Sequence, residues 1–182
     1  GPIMTTLSER LAELSGKAVI SDCGLYRYWL ERQCEGDGAT AVIMVNPSTA
    51  DASNDDATIR KLIGFGNRNQ WGRLIVGNLF AYRATDVREL GKVADPIGPD
   101  NDYWLGRIAG TVDRVIYAWG PTAKQPRAYR SIRWPRVTGI FLGVDEFSIG
   151  EPAKCGAPKH PLMLPYASPV NAYRAGRLIV KD

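Results

Sequence analysis

Short, unbroken apolar runs alternate along this chain with longer stretches in which apolar residues recur every three or four positions. The first run, residues 41–45, leads directly into Asn46-Pro47-Ser48-Thr49. Proline cannot donate to a β-ladder, so this run has the form of a strand buried on both faces and ended by a turn. We therefore expect a strand over 41–46, and similar runs predict strands over 73–80, 115–119 and 136–144.

Helical spacing separates these runs. Asp55 or Asp56 is placed to cap a helix over residues 57–69. Before the first buried run, residues 17–34 predict one or two antiparallel strands, followed by a turn at 35–38. The remaining predictions are helices over 5–14, 100–112 and 122–132, and a mostly irregular tail over 145–182 with a last helix or strand near 173–180.

Strands that alternate with helices favour a parallel sheet covered by helices. The predicted fold is a three-layer α/β/α sandwich with a central, mainly parallel four-stranded sheet. Residues 4–182 show no linker and no shift in composition, so we expect one domain, with residues 1–3 as a remnant of tag removal. In such folds the carboxyl ends of the strands meet at one edge, where ligands bind.

Composition narrows the range of functions. The 182 residues are 45% hydrophobic and 23% charged, which is typical of a globular protein. No apolar run reaches 18 residues and no secretory signal is visible, so we expect a cytoplasmic protein without a membrane partner. Three widely spaced cysteines and one histidine provide neither a disulfide framework nor a metal cluster. No metal site is therefore predicted. Because the sequence also has no Gly-rich phosphate loop after a strand, no cofactor is predicted either.

Three strand ends carry candidate chemistry: Asn46, Asn78 and Trp119. A carboxamide has two donors and an acceptor, so it can pair with the edge of a nucleobase. Asn46 taken alone fits equally well a turn residue that bonds to its own backbone. Asn78 lies within an apolar run, where an unpaired amide costs on the order of 1–3 kcal/mol. This position favours a functional role for Asn78.

Titratable side chains could act beside these carboxamides. His160 is the only histidine and lies in a proline-flanked loop, from which it could stabilise negative charge or move a proton. A surface or core histidine without a catalytic role is the alternative. Asp51, Asp55 and Asp56 follow the first strand, and one of them could orient or activate a water molecule, whereas helix capping is the alternative and fully explains one of them.

Basic and aromatic residues are mixed over 127–136, a pattern that suits phosphates and stacked bases but also fits a solvated helix. The net charge of +4 permits a polyanionic partner, and we expect DNA, either duplex or single-stranded. The predicted contacts to the nucleic-acid backbone are Arg83, Lys124, Arg127, Arg130, Ser168 and Arg174.

Several longer motifs together resemble the bacterial and phage domain-of-unknown-function family 1643. The resemblance extends from about Tyr26 to Pro165, and the family label itself carries no activity. The motifs are residues 45–51, 55–60, 77–86, 95–102, 118–120 and 160–165.

The order of these motifs is also similar to that of the uracil-DNA glycosylase superfamily. Asn46-Pro47-Ser48 resembles its first motif, and Asn78 falls where that superfamily reads the flipped base. Trp119-Gly120 ends the third strand as in the superfamily. Residues 160–164 resemble its last motif, in which His stabilises the departing base and Leu wedges into the duplex; residues 168–174 are a competing match.

The resemblance implies a DNA glycosylase-like enzyme that acts at the N-glycosidic bond of a flipped, modified or damaged base. Asn46 would position the water, with Asp51 as a substitute, and His160 would stabilise the leaving base. Leu162 replaces the serine of the last motif, which disfavours uracil itself. The implied substrate-binding residues are Pro47, Ser48, Thr49, Asn78, Phe80, Tyr82, Trp119 and Leu164. The alternatives are a non-catalytic nucleic-acid or nucleotide-binding module and an enzyme of free nucleosides or nucleotides.

Overall fold

A seven-stranded mixed sheet forms the centre of the computed structural model, which describes residues 18–175. In chain order its strands are β1 Ala18–Ile20, β2 Arg27–Gln33, β3 Ala39–Met44, β4 Arg73–Asn78, β5 Arg114–Tyr117, β6 Asp145–Ile149 and β7 Val170–Ala172. Their spatial order is β1-β2-β4-β3-β5-β6-β7. The neighbours β4, β3, β5 and β6 are parallel, whereas β1, β2 and β7 pair antiparallel at the margins. The mixed α/β class with a parallel centre is confirmed, but the count of four strands is wrong because the marginal strands extend the sheet.

The helices contribute to two hydrophobic clusters. They are α1 Ala57–Asn69, α2 Asn101–Ala109 and α3 Arg133–Ile140. Val42 of β3 belongs to the cluster that contains apolar residues of α1, and its neighbour Ile43 belongs to the cluster that contains those of α2 and α3. Alternate residues of one strand point to opposite faces, so both faces of the sheet are buried.

Several local predictions hold. The helix over 57–69 is confirmed, and its cap is Asp56, whose Oδ1 accepts the Ile59 N–H at 2.9 Å. The antiparallel strands expected within 17–34 are β1 and β2, and the helix expected over 100–112 is α2. The predicted helix over 5–14 lies outside the described residues, as does most of the element predicted near 173–180.

Two predictions that follow β5 are wrong. Residues 136–144 were expected to form a strand, but α3 occupies 133–140 and the next parallel strand is β6, within the tail predicted to be irregular. Pro135 lies in the first turn of α3, where the missing N–H needs no helical partner. The helix expected over 122–132 is two 3₁₀ turns, because Pro126 holds Gln125 in an extended conformation.

Parallel pairing brings the loops that follow β3, β4, β5 and β6 to one edge of the sheet. Backbone hydrogen bonds then join these loops to one another. The Ala84 N–H donates to the Pro47 carbonyl at 3.0 Å, and the Gly120 N–H donates to the Pro158 carbonyl at 2.9 Å. Residues that are far apart along the chain are thereby held around one space.

Replacement of Asp56 tests how the first of these loops is held. Its Oδ2 also accepts the Ala50 N–H at 3.2 Å, so one carboxylate joins the loop after β3 to the start of α1. We expect Asp56→Ala to lower the free energy of unfolding by about 1–2 kcal/mol, measured by urea denaturation, and Asp56→Asn to lower it less. The exposed Asp37 provides a matched control, Asp37→Ala, which should leave stability unchanged. Equal stabilities of Asp56→Ala and Asp37→Ala would contradict this role.

Candidate functional site

A cavity of about 520 Å³ opens among the loops at the carboxyl edge of the parallel strands. Its volume lies within the range of small-molecule sites. The predicted site residues on its wall are Asn46, Pro47, Ser48, Asn78, Trp119, Lys124 and His160. The two carboxamides and the imidazole, which come from three different loops and strand ends, therefore border one space.

Asn78 is the last residue of β4, and its side chain is 0% exposed. Within residues 18–175, neither its Nδ2 nor its Oδ1 has a hydrogen-bond partner. The backbone around it is firmly held, because Asn101 Nδ2 donates to the Asn78 carbonyl at 3.1 Å and Arg133 Nε donates to the Leu79 carbonyl at 2.6 Å. A buried amide without partners costs about 1–3 kcal/mol, which a ligand that pairs with both atoms would recover.

Asn46 uses only half of its carboxamide within the protein. Its Nδ2 donates to the Pro47 carbonyl at 2.9 Å and to the Ala84 carbonyl at 2.8 Å. These two acceptors fix the orientation of the amide, since the oxygen could not replace the nitrogen there. The Oδ1 receives no hydrogen bond from the described part of the chain, so it remains an acceptor on the cavity wall. Asn46 thus has the backbone-bonding role expected of a turn residue and retains a free oxygen as well.

His160 is held as a neutral imidazole with a defined tautomer. Its Nδ1 accepts the Leu162 N–H at 3.2 Å, which places the proton of the neutral ring on Nε2. Burial and the nearby Lys124 ammonium lower the pKa of His160 below its usual value. Gly120 permits the close approach of this loop: its φ is +78°, and a Cβ there would lie 3.4 Å from the His160 Cβ.

The cavity also contains Arg27, a charged residue that sequence reasoning missed, and Asp56, which was predicted as a helix cap or as a carboxylate that orients water. Arg27 is 2% exposed, and its Nη1 donates to the Ala50 carbonyl at 3.1 Å. Burial lowers the pKa of Arg27 to about 10, partly offset by the Asp56 charge, so the guanidinium remains a cation at neutral pH. No local pattern distinguishes a buried arginine from an exposed one, because burial here depends on loops far along the chain.

Asp86, a carboxylate that sequence reasoning missed, also borders the cavity. It caps the 3₁₀ helix Val87–Lys92 and pairs with Arg88 at 2.6 Å. These hydrogen bonds, chiefly from the Arg88 side chain, lower the pKa of Asp86 to about 2. Asp86 is therefore ionised and already paired at neutral pH.

The two aromatic residues expected to stack on a base do not line the cavity. Phe80 is fully buried in the core, with its ring 5.9 Å from that of Tyr129. Tyr82 bridges to Tyr26, and their rings meet edge to face at 5.9 Å. The strand β4 ends at Asn78, so the chain beyond it turns these side chains away from the space that Asn78 borders.

Three other predicted site residues lie elsewhere. Asp51 accepts the Ser53 and Asn54 N–H groups at 3.0 and 2.9 Å, which lowers its pKa. It thus caps a turn within its own loop, whereas the helix cap is Asp56. Thr49 is exposed outside the cavity wall. Leu164 packs against the hydrophobic cluster that includes α1, so it is not a free wedge.

The basic residues divide into two groups. Lys124, Arg127 and Arg130 lie together beside the cavity, along a second depression. The other predicted backbone contacts, Arg83, Ser168 and Arg174, do not border either space. Across residues 18–175, no group of three or more His, Cys, Asp or Glu side chains is placed to hold a metal ion. Over the same residues no helix has the length and apolarity to cross a membrane.

Fold and site together define an α/β protein with a ligand-sized cavity at the carboxyl ends of its parallel strands. The chain belongs to the family described as a protein of unknown function (DUF1643), whose model matches residues 27–162. Asn46, Asn78, Trp119 and His160 all lie within the matched region. A search of curated proteins and a search of solved structures each found no match to this chain.

The lowered pKa of His160 predicts a specific pH dependence of stability. The unfolded chain binds a proton at this histidine at a higher pH than the folded chain, so the stability contributed by the neutral ring is lost as pH falls below about 6.5. We expect the difference in unfolding free energy between the wild type and His160→Gln to shrink between pH 7.5 and pH 5, measured by urea denaturation. A difference that stays constant over this range would show that the folded protein does not favour neutral His160.

Proposed function

We propose that this protein is a DNA glycosylase-like enzyme that hydrolyses the N-glycosidic bond of a flipped nucleotide with a modified or damaged base. The observation that carries the proposal is the buried, unpartnered carboxamide of Asn78 at a cavity that also contains Asn46 and His160. A nucleobase edge offers neighbouring donors and acceptors, which are what this carboxamide lacks. The order of the motifs and the helices on both faces of the sheet agree with the glycosylase-like, three-layer fold expected from the sequence.

Each polar group has a place in the reaction. Asn78 pairs with the edge of the flipped base, and Asn46 Oδ1 accepts a hydrogen from the attacking water. The bond between C1′ and the base nitrogen breaks, and its electron pair leaves with the base. His160 donates its Nε2–H to the negative charge that develops there. The water adds a hydroxyl to C1′, and its remaining proton completes the released base.

The carboxylates of the cavity restrict the substrate. Asp56 accepts two backbone N–H groups and Asp86 is paired with Arg88, so both are committed to structure. Without a free carboxylate to activate the water, the reaction depends on the leaving group. The proposal therefore favours a base whose modification or damage makes it depart readily.

Leu162 and Met163 favour DNA over a free nucleotide as the substrate. Leu162 borders the cavity together with His160 of the same loop, and the adjoining Met163 is 89% exposed. Apolar side chains presented in this way can wedge between base pairs and take the place of an extruded base. A non-catalytic nucleic-acid-binding module is the second candidate. It is favoured because Asp56 and Asp86 are occupied by hydrogen bonds and an ion pair within the protein, so neither carboxylate is free to activate water.

A base-release assay tests the proposal. Duplex and single-stranded DNA carrying a panel of modified bases is incubated with the protein, and released bases are identified by mass spectrometry. We expect His160→Gln and Asn46→Ala to reduce release about 100-fold while DNA binding is retained. The distant, exposed Asn67 gives a control, Asn67→Ala, which should release base at the wild-type rate.

The outcomes of this assay separate the candidates. Release that depends on both side chains supports the enzyme. DNA binding without release of any base would favour the non-catalytic module, and the absence of both release and DNA binding would overturn the proposal.

The wedge role has its own test, the double variant Leu162→Ala/Met163→Ala. We expect base release from duplex DNA to fall about tenfold and release from single-stranded DNA to be unchanged, because only the duplex must be unpaired. Leu142 is also 89% exposed but lies between α3 and β6, at the opposite edge of the sheet, so Leu142→Ala is the matched control. An equal loss on both kinds of DNA would show that the two side chains do not act as a wedge.

A further inference from the structure

A second cavity of about 500 Å³ lies beside the first and has no part in the reaction proposed above. The 3₁₀ helix Val87–Lys92 forms one of its sides, and the two 3₁₀ turns around Gln125-Pro126 form another. Asp86, Val87 and Lys124 border both cavities. The two spaces are therefore neighbours along one surface, and Lys124 stands at their junction.

The charge of this cavity is strongly positive. Its wall carries Arg88, Lys124, Arg127 and Arg130 against the single carboxylate of Asp86, which Arg88 already pairs at 2.6 Å. Arg130 is held in place, since its Nε and Nη2 donate to backbone carbonyls at 2.8 and 2.7 Å. Lys124 and Arg127 have no ion pair or hydrogen bond through their side chains within the described residues. Two free cations beside a fixed guanidinium suit an anion such as a phosphate.

Gln125 adds a second unsatisfied carboxamide. It lines the second cavity and is 1% exposed, and in the described chain neither Nε2 nor Oε1 has a hydrogen-bond partner. As at Asn78, a buried donor and a buried acceptor without partners lower the stability of the protein unless a ligand forms hydrogen bonds with them. A nucleobase edge again offers the complementary pair of groups.

We propose that the second cavity binds the nucleotide adjacent to the flipped one. Lys124 and Arg127 hold the phosphate that links the two nucleotides, and Gln125 contacts the neighbouring base. This inference rests on the proposed function and extends it: the substrate is a strand of at least two nucleotides, and the neighbouring base influences recognition. The position of Lys124 between the cavities matches the position of a linking phosphate between two nucleotides.

The test uses labelled single-stranded DNA hexamers with one abasic site, so that binding does not require a base in the first cavity. The nucleotide beside the abasic site is varied among the four bases, and Kd is measured by fluorescence anisotropy at several salt concentrations. We expect Lys124→Ala/Arg127→Ala to weaken binding about tenfold or more and to reduce the slope of log Kd against log salt by about 0.7–1.4. Arg68, at the far end of α1, provides the control Arg68→Ala, which should keep the wild-type Kd and slope.

Gln125 is tested by the same hexamers. We expect the wild type to prefer some neighbouring bases several-fold, and Gln125→Leu to bind all four within about twofold while the salt slope is retained. Gln125→Glu keeps the shape but replaces the donor, so it should alter which base is preferred. Thermal melting of each variant shows whether the fold is intact. If Gln125→Leu does not fold, the Lys124→Ala/Arg127→Ala variant still tests the inference, because both of its substitutions are at exposed positions.

The results distinguish this inference from the proposed function. The inference is overturned if the Lys124→Ala/Arg127→Ala variant keeps the wild-type Kd and salt slope, or if Gln125→Leu keeps the wild-type base preference. In either case, base release that still requires His160 would leave the proposed function standing. Conversely, hexamer binding that depends on Lys124, Arg127 and Gln125 without release of any base would support the nucleotide site and overturn the glycosylase activity.

Discussion

The buried carboxamide of Asn78 is the constraint on which this account depends. A polar side chain with two unpaired atoms at the end of a central strand lowers the stability of the protein. The preceding residues of β4, from Leu74 to Gly77, are apolar and form no hydrogen bond that needs an asparagine at this position. Asn101 and Arg133 hold the backbone around it, so the side chain does not reach a partner by a small movement of the strand end. Such a group is stabilised when a ligand completes its hydrogen bonds, and the adjoining cavity provides the space.

Parallel pairing is what turns this single residue into a site. Because β3, β4, β5 and β6 run in one direction, their carboxyl-terminal loops share one edge, and backbone bonds between those loops fix their separation. The free oxygen of Asn46 and the neutral ring of His160 consequently face the same cavity as Asn78. The second cavity contains another buried carboxamide without a partner in the described residues, that of Gln125, beside the cations Lys124, Arg127 and Arg130.

Much of the fold was predictable because its signals are local. The apolar runs of β3 and β4 and the Asp56 cap of α1 are visible in neighbouring residues, as was the anomaly of an asparagine inside an apolar run. The strand predicted over 136–144 failed because Val137, Thr138 and Ile140 have strand propensity, whereas tertiary packing makes them helical. Arg27 and Gln125 were missed because their burial depends on contacts between segments that are distant along the chain.

Side-chain NMR can show whether the buried carboxamide of Asn78 binds a nucleobase. Its Nδ2 protons are assigned by their loss in Asn78→Asp, and a panel of natural and modified nucleosides is added to the wild-type protein. We expect at least one nucleoside to shift the Asn78 side-chain signals in the way that an amide entering a hydrogen bond shifts, while the signals of the distant Asn67 stay in place. Asn78 signals that no nucleoside moves, or that move only together with those of Asn67, would contradict it.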